Sequence, residues 1–292
     1  MRIDAHHHLW DLQAVNYPWL MAQGEVRFFG DPAPIQRDYL LPEFTADAAA
    51  HNISASVHIQ VGAADGLAEA KWVDAMAQQA AEAGQWHMKQ VAFCDLAADD
   101  CEAQLDALSS LPSVVGVRQI IGRAPGEDAL TGTQSLLESA AFSRGLSALT
   151  QRGLSFDLQL LPELMAPMAA VLADYPSLPV ALCHAGSCYD RSSEGIAAWA
   201  DQLITLSHQP QITAKLSGLG MFAHGWKVAD FAPLVEAVIG QFGPSRVMFG
   251  SNFPVDSLTS DYHQLFSAYE DLIPHHMQDQ IFGKTASAFY KF

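Results

Sequence analysis

Positive charge is scarce in this 292-residue chain. Its 15 Lys and Arg residues stand against 32 Asp and Glu residues, which gives a formal net charge of −17 at pH 7. Such a surface repels a phosphate backbone and offers no basic stripe to bind one, so nucleic acid is not an expected partner. A pocket for an anionic small molecule would have to supply its own Arg, Lys or metal ion against this overall field.

Long apolar runs and a cysteine framework are also missing. No stretch of about 18 uninterrupted apolar residues occurs, and the N-terminus is polar within a few residues, so we expect no membrane span and no secretory leader. The cysteines show no C-x-x-C spacing and are expected to be buried thiols; they are Cys94, Cys101, Cys183 and Cys188. These absences predict a cytoplasmic protein without a membrane partner. The acidic surface is compatible with a monomer or a homodimer.

What the chain does contain is a repeating pattern and ample material for a core. Half of its residues are apolar and 16% are charged, as in ordered globular proteins. Short β-branched runs alternate with longer Ala- and Leu-rich stretches, as in βα units around a parallel sheet. The eight runs are Arg2–His6, Ile53–Val61, Gln90–Asp95, Val114–Ile121, Leu154–Leu161, Val180–His184, Ile212–Ser217 and Val247–Asn252. Because eight such units close a barrel, we predict one α/β domain over residues 1–292 with a (β/α)8 TIM-barrel fold.

An irregular segment follows the first run, at about residues 9–45. It is rich in Pro, Gly and aromatic residues, among them Tyr17, Trp19, Phe28 and Phe29. A long loop after the first strand of such a barrel lies at the C-terminal mouth, so we expect this segment to form or cover a pocket there.

Polar side chains gather near the ends of the runs. Side chains alternate across a strand with a period of two, so Asp4, His6 and His8 are expected to share one face. On that face His6 and His8 form an H-x-H pair. The same alternation predicts that the polar side chains of the second run line the barrel; they are Ser54, Ser56, His58 and Gln60. Polar residues also lie in or close the later runs, namely Arg118, Gln159, His184, Lys215 and Asn252. One such histidine alone indicates a core residue, but several at strand ends favour a shared site.

Five segments in a fixed order carry a family resemblance. They are IDAHHHLWD at 3–11, GVRQ at 116–119, CHAG at 183–186, KLSGL at 215–219 and MFGSNFPVD at 248–256. With them the chain resembles the amidohydrolase superfamily, and within it the amidohydrolase-related family 2 of TIM-barrel hydrolases, which includes sugar-acid lactonases and 2-pyrone-4,6-dicarboxylate lactonase. The resemblance implies that His6, His8 and His184 bind one divalent metal ion, with zinc the first choice, or that they bind substrate without metal.

The chain departs from the family at the eighth run. The superfamily usually places an aspartate there to take the proton from the attacking water, whereas this chain has Asn252, and an amide cannot act as that base. Asp256 on the following loop, or a histidine such as His58 or His184, could supply the base instead. We therefore count His184, Asn252 and Asp256 as the candidate catalytic residues.

The resulting hypothesis is a hydrolase that opens a small carboxylated lactone, of the sugar-acid or pyrone type. Arg118, His58, Gln159 and Lys215 are the candidate substrate-binding residues, and Arg118 or a metal ion would stabilise the oxyanion. Lys215 could equally form a buried ion pair with Asp95 or Asp157. Two alternatives stay open: a metal-dependent decarboxylase of an unsaturated or aromatic acid, and a barrel that binds a small molecule without turnover.

Overall fold

Eight parallel strands lie side by side in chain order in the computed structural model, which describes residues 1–127 and 134–292. The strands are β1 Arg2–His7, β2 Ile53–Ile59, β3 His87–Phe93, β4 Val114–Ile120, β5 Ser155–Gln159, β6 Val180–Leu182, β7 Ile212–Leu216 and β8 Val247–Phe249. The helices are α1 Pro18–Met21, α2 Leu41–Ala49, α3 Gly66–Glu82, α4 Cys101–Ser109, α5 Gln134–Leu137, α6 Ala140–Gln151, α7 Met165–Leu172, α8 Ser193–Ser207, α9 Val228–Phe242, α10 Tyr262–Leu272, α11 His275–Asp279 and α12 Thr285–Tyr290. The predicted TIM-barrel fold is confirmed. Within the described ranges, no helix combines the length and the apolar character needed to cross a bilayer.

The barrel closes between β8 and β1. Asn252 N donates to His6 O and His8 N donates to Phe253 O, both at 2.7 Å. Nearby, a side chain takes the place of a backbone acceptor, because Asp4 Oδ1 accepts from Ser251 N at 2.9 Å. The first and last strands are thereby joined beside the H-x-H pair.

Apolar side chains fill much of the barrel interior. Buried side chains from strands on opposite sides meet there with α12; they are Ile3, Ala5, Ala55, Val57, Ile59, Val91, Ala181, Met248, Ala286 and Tyr290. The alternation predicted for β2 was therefore wrong within the strand, because its apolar residues face the interior; Gln60, just beyond the strand, does line the cavity at the mouth. Ser56 instead accepts from Trp86 Nε1, and the His58 ring lies 6.0 Å from that of His7, which stacks on Phe44 of α2.

A bulge in β1 changes which side chains face inward. The pairing of β1 with β2 shifts register between Asp4 and His7. Ile3 and Ala5 face the interior, and beyond the bulge His6 lies against His184. Asp4 points away from the interior to Tyr262 of α10, whose hydroxyl donates to it. The prediction that His6 and His8 project together holds, but Asp4 does not share their face, because the extra residue of a bulge resets the alternation.

The segment predicted at about residues 9–45 ends at Leu40, directly before α2 begins at Leu41. Pro42 falls in the first turn of α2, a position at which proline costs no helical hydrogen bond. Leu41 and Phe44 are buried and fix the helix against the barrel. The segment itself contributes Trp19, Phe28 and Phe29 to a cavity at the mouth.

A buried ion pair spans the barrel interior. Lys215 of β7 donates to Asp157 Oδ2 of β5 at 2.5 Å and to Ala5 O of β1 at 2.8 Å, and neither charged side chain is exposed. The Tyr290 hydroxyl of α12 donates to the same carboxylate at 3.0 Å. The Lys215–Asp157 ion pair therefore joins the β1 bulge, β5, β7 and α12.

We expect Asp157→Asn to lower the free energy of unfolding by about 3 kcal/mol, because Lys215 then carries a buried charge without a counter-ion. Adding Lys215→Met should recover at least half of this loss, since the remaining amide still accepts from Tyr290. Urea unfolding followed by circular dichroism measures both variants. A single variant as stable as the parent would contradict the assignment of a buried charged pair.

Candidate active site

Three imidazoles lie together at the C-terminal ends of β1 and β6. The ring centroids of His6 and His184 are 4.6 Å apart, and those of His6 and His8 are 5.1 Å apart. Burial lowers the pKa of His8 to about 3 and that of His6 and His184 well below the usual value. Repulsion from His184 adds to the shift of the His6 pKa, and repulsion from Arg118 and then His8 adds to that of the His184 pKa. The cluster is therefore uncharged at neutral pH.

The backbone places His6 close to β8. An added Cβ at Gly250 would come within 2.5 Å of the His6 Cβ, so only glycine allows the two strands to approach this closely. Both ring nitrogens of His6 are buried and have no hydrogen-bond partner within the described residues. His6 is thus an imidazole with both nitrogens available for chemistry.

His184 is presented by an unusual turn after β6. His184, Ala185, Gly186 and Ser187 all have positive φ, between 50° and 73°. Such a run is costly for residues other than glycine and persists only where surrounding contacts hold it. Trp199 Nε1 of α8 provides one such contact by donating to Ala185 O at 2.8 Å.

A cavity of about 450 Å³ opens over these histidines. Arg118 of β4 lines it and is 5% exposed. Its guanidinium donates to Gln60 O and, at 3.4 Å, to Gln159 Oε1, whereas its buried Nε has no partner within the described part of the chain. Burial lowers the pKa of Arg118, which reflects the cost of holding a cation there without a paired carboxylate.

The structure brings most of the predicted site residues together. The cavity lining includes His8, Arg118, Gln159, His184 and Asn252, and His6 lies directly against two of them. His58, Lys215 and Asp256 do not line it. The His58 ring lies beside that of His7 and contacts Leu9 O. Lys215 is bound to Asp157 inside the barrel, so the alternative of a buried ion pair describes its position.

Asp256 lies behind Asn252 as seen from the cavity. Burial raises the pKa of Asp256 to about 7, with the neighbouring Asn252 side chain and Gly218 backbone opposing the shift. Neither of its oxygens has a hydrogen bond of ordinary geometry within the described residues. Asp256 therefore reaches the cavity only through Asn252, whose amide lies 3.1 Å from His8 Nε2.

The outer wall of the cavity was not predicted residue by residue. Arg27 of the mouth segment forms a two-pronged ion pair with Glu127, at 2.7 Å and 3.2 Å, and the Phe28 ring stacks on that of Phe222 at 5.1 Å. Arg123, three residues beyond β4, also lines the cavity. The composition of the segment indicated a mouth loop, but its path depends on Glu127 and Phe222, which are distant in sequence.

The donor set does not fit a ready-made zinc site. Three ligands would have to come from His6, His8 and His184, but His8 Nδ1 donates to Ile59 O at 2.7 Å. His8 Nε2, which then carries no hydrogen in the neutral ring, is covered by the Asn252 side-chain amide and can only accept from its NH2 group. Across the described ranges, no group of three or more His, Cys, Asp or Glu residues is arranged to hold a metal ion. Zinc binding by all three histidines would require His8 to leave Asn252, and zinc stays a prediction.

Comparison with known proteins gives matches over almost the whole chain. A family model described as Amidohydrolase matches residues 3–292. An uncharacterized protein y4mH of Sinorhizobium fredii is 32% identical over 99% of this chain and 98% of its own length. An L-fucono-1,5-lactonase of Burkholderia multivorans is 26% identical over 92% of this chain and 88% of its own.

Solved structures agree in fold. A Burkholderia multivorans amidohydrolase with bound zinc superimposes with a TM-score of 0.82 at 24% identity, covering 100% of this chain and 99% of its own. At that identity the likeness establishes the barrel and its connections and leaves the ligands of this chain to be tested.

We expect Asn252→Ala to bind zinc about fivefold more tightly than the parent protein, because losing one buried hydrogen bond of about 1 kcal/mol frees His8 Nε2. Zinc titration calorimetry measures this. The control is Gln159→Ala, which removes another cavity amide that contacts Arg118 and no histidine. Two results would contradict the view that Asn252 competes with zinc for His8 Nε2: a parent protein that retains one zinc per chain after dialysis, or an unchanged zinc affinity in Asn252→Ala.

Proposed function

This chain belongs to the amidohydrolase family and is a hydrolase, and from that premise we propose that it opens the ring of a small lactone that carries a carboxylate. Water attacks the ring ester carbonyl, the carbon–oxygen bond of the ring breaks, and the product is a hydroxy acid. The substrate class includes sugar-acid lactones and pyrone-type lactones.

One observation carries the proposal: the buried guanidinium of Arg118 has no carboxylate counter-ion among the described residues. In the described residues no carboxylate lies within ion-pair distance of it, although the chain has 32 acidic residues. A buried cation without a counter-ion is costly, and a carboxylate or an oxyanion on the substrate removes that cost. Because Arg118 and His184 line the same cavity, such a ligand would lie beside the histidine cluster.

The chemistry needs only modest activation. An ester carbonyl develops negative charge on oxygen as water adds, and preorganised donors at that oxygen supply much of the catalysis. We propose neutral His6 as the base: both its nitrogens are unengaged, and although it does not itself line the cavity, its ring lies against those of His8 and His184, which do. Of the earlier candidate bases, His58 contacts Leu9 O and, within the described residues, forms no hydrogen bond with the three clustered imidazoles, and Asp256 reaches the cavity only through Asn252.

Two further features support the assignment without fixing the substrate. A relative that aligns with 92% of this chain, from Burkholderia multivorans, is named as an L-fucono-1,5-lactonase. The mouth residues Trp19, Phe28 and Phe29 offer aromatic faces against which a ring can pack. Zinc, cytoplasmic location and a monomeric or dimeric state remain predictions, and the proposed reaction uses no metal-dependent step.

The sharpest test uses a matched pair of substrates, a carboxylated lactone and its methyl ester. We expect Arg118→Met to lower kcat/KM for the carboxylated lactone by about 100-fold and to change that for the ester little, because a charge-assisted hydrogen bond is lost only with the anion. Continuous titration of released acid measures turnover, and Arg144→Met, on the exposed face of α6, is the control.

The outcomes separate the roles of Arg118. An equal loss for both substrates would place the guanidinium at the carbonyl oxygen instead of at the substrate carboxylate. No turnover of any carboxylated or neutral lactone by the parent protein would overturn the proposed function.

We expect activity to persist in mild acid. Because burial lowers the pKa of the three clustered histidines, they stay neutral as the pH falls, so kcat/KM should be level from pH 8 to about pH 5. A pH profile with thermal unfolding recorded at each pH measures this. Because burial raises the pKa of Asp256 to about 7, the profile is also recorded in Asp256→Asn; a half-maximal rate near pH 6.5 in both folded proteins would show a histidine with an ordinary pKa.

A further inference from the structure

Ser217 lies directly after β7, and its hydroxyl contacts His184. The side chain is fully buried, its Oγ accepts from His184 N at 3.3 Å, and it lies 3.1 Å from His184 Nδ1. No other hydrogen bond to this hydroxyl occurs in the described ranges. The hydroxyl and the histidine therefore form a closed pair.

The count of hydrogens in this pair decides the tautomer. A serine hydroxyl has one hydrogen to donate and can accept two. If Nδ1 carried the hydrogen, Oγ would accept twice and its own hydrogen would be buried without an acceptor. If Nε2 carries it, Ser217 donates to Nδ1 and accepts from the backbone, so the hydroxyl, Nδ1 and the backbone N–H of His184 all have partners.

The ring has little freedom to escape this arrangement. An added Cβ at Gly218 would lie 2.4 Å from His184 Nδ1, so the chain after β7 passes directly behind the ring. On the other side, the positive-φ turn from His184 to Ser187 directs the backbone N–H of His184 at the same Oγ. The ring edge with Nδ1 thus faces Ser217, and His184 lines the cavity.

We propose that Ser217 is a positioning residue that fixes His184 in the tautomer with hydrogen on Nε2. His184 then meets the substrate as a hydrogen-bond donor, and in this state its Nε2 is neither a base nor a metal ligand. The catalytic consequence rests on the proposed lactone hydrolysis, whereas the tautomer itself does not.

The direct test is ¹⁵N NMR of the purified full chain labelled at histidine, with the His184 signals assigned by their absence in His184→Gln. We expect Nδ1 to resonate as an unprotonated nitrogen and Nε2 as a protonated one. In Ser217→Ala both shifts should move towards the average of the two tautomers, and in Ser217→Thr, which keeps the hydroxyl, they should return.

Kinetics give a second readout. We expect Ser217→Ala to lower kcat about tenfold with KM changed less than about twofold, and Ser217→Thr to restore kcat. The control is Ser56→Ala, which removes another buried serine hydroxyl, one that contacts Trp86 outside the site. A parent spectrum with hydrogen on Nδ1, or identical spectra for the parent and Ser217→Ala, would overturn the proposal. The spectra decide the tautomer even if no lactone is turned over, so the two proposals fail separately.

Discussion

The Asp4 carboxylate and the bulge beside it set the geometry on which the site depends. Asp4 accepts from His6 N and Ser251 N with one oxygen and from the Tyr262 hydroxyl with the other, so it joins β1, β8 and α10 where the barrel closes. A regular strand with Ile3 and Ala5 inside would turn His7 into the barrel. The bulge turns His6 and His8 inward instead, and it releases the Ala5 carbonyl to Lys215.

Three of the chain's 15 basic residues gather at the cavity, although Asp95 lines it too. The chain as a whole carries −17, yet Arg27, Arg118 and Arg123 all line this one cavity. Glu127 binds Arg27, whereas Arg118 at the base keeps an unengaged N–H. Because surface charges are screened over roughly 8 Å in physiological salt, the local guanidinium outweighs the distant acidic surface for a ligand already inside.

The strand pattern predicted the barrel because period-two runs and helical stretches reflect burial, which is local in sequence. The same reasoning predicted that His6, His8, Arg118, His184 and Asn252 would meet, since the C-terminal ends of parallel strands share one rim. It failed for β2, where apolar and polar residues alternate equally well on either face and only packing against α2 decides between them. It could not find Arg27, because the path of a long loop depends on contacts that sequence spacing does not encode.

The sequence by itself determined the fold, the family and the set of residues from which the site is drawn, because hydrophobic periodicity and ordered motifs are properties of the linear chain. The tertiary structure decided which nitrogen or carboxylate is free to act. Lys215 is ion-paired with Asp157, and the His8 ring contacts Ile59 O and Asn252. His184 Nδ1 is hydrogen-bonded to Ser217. The physical reason is that a buried polar group must be satisfied by whichever partner lies within about 3 Å, and that partner comes from a strand distant in sequence.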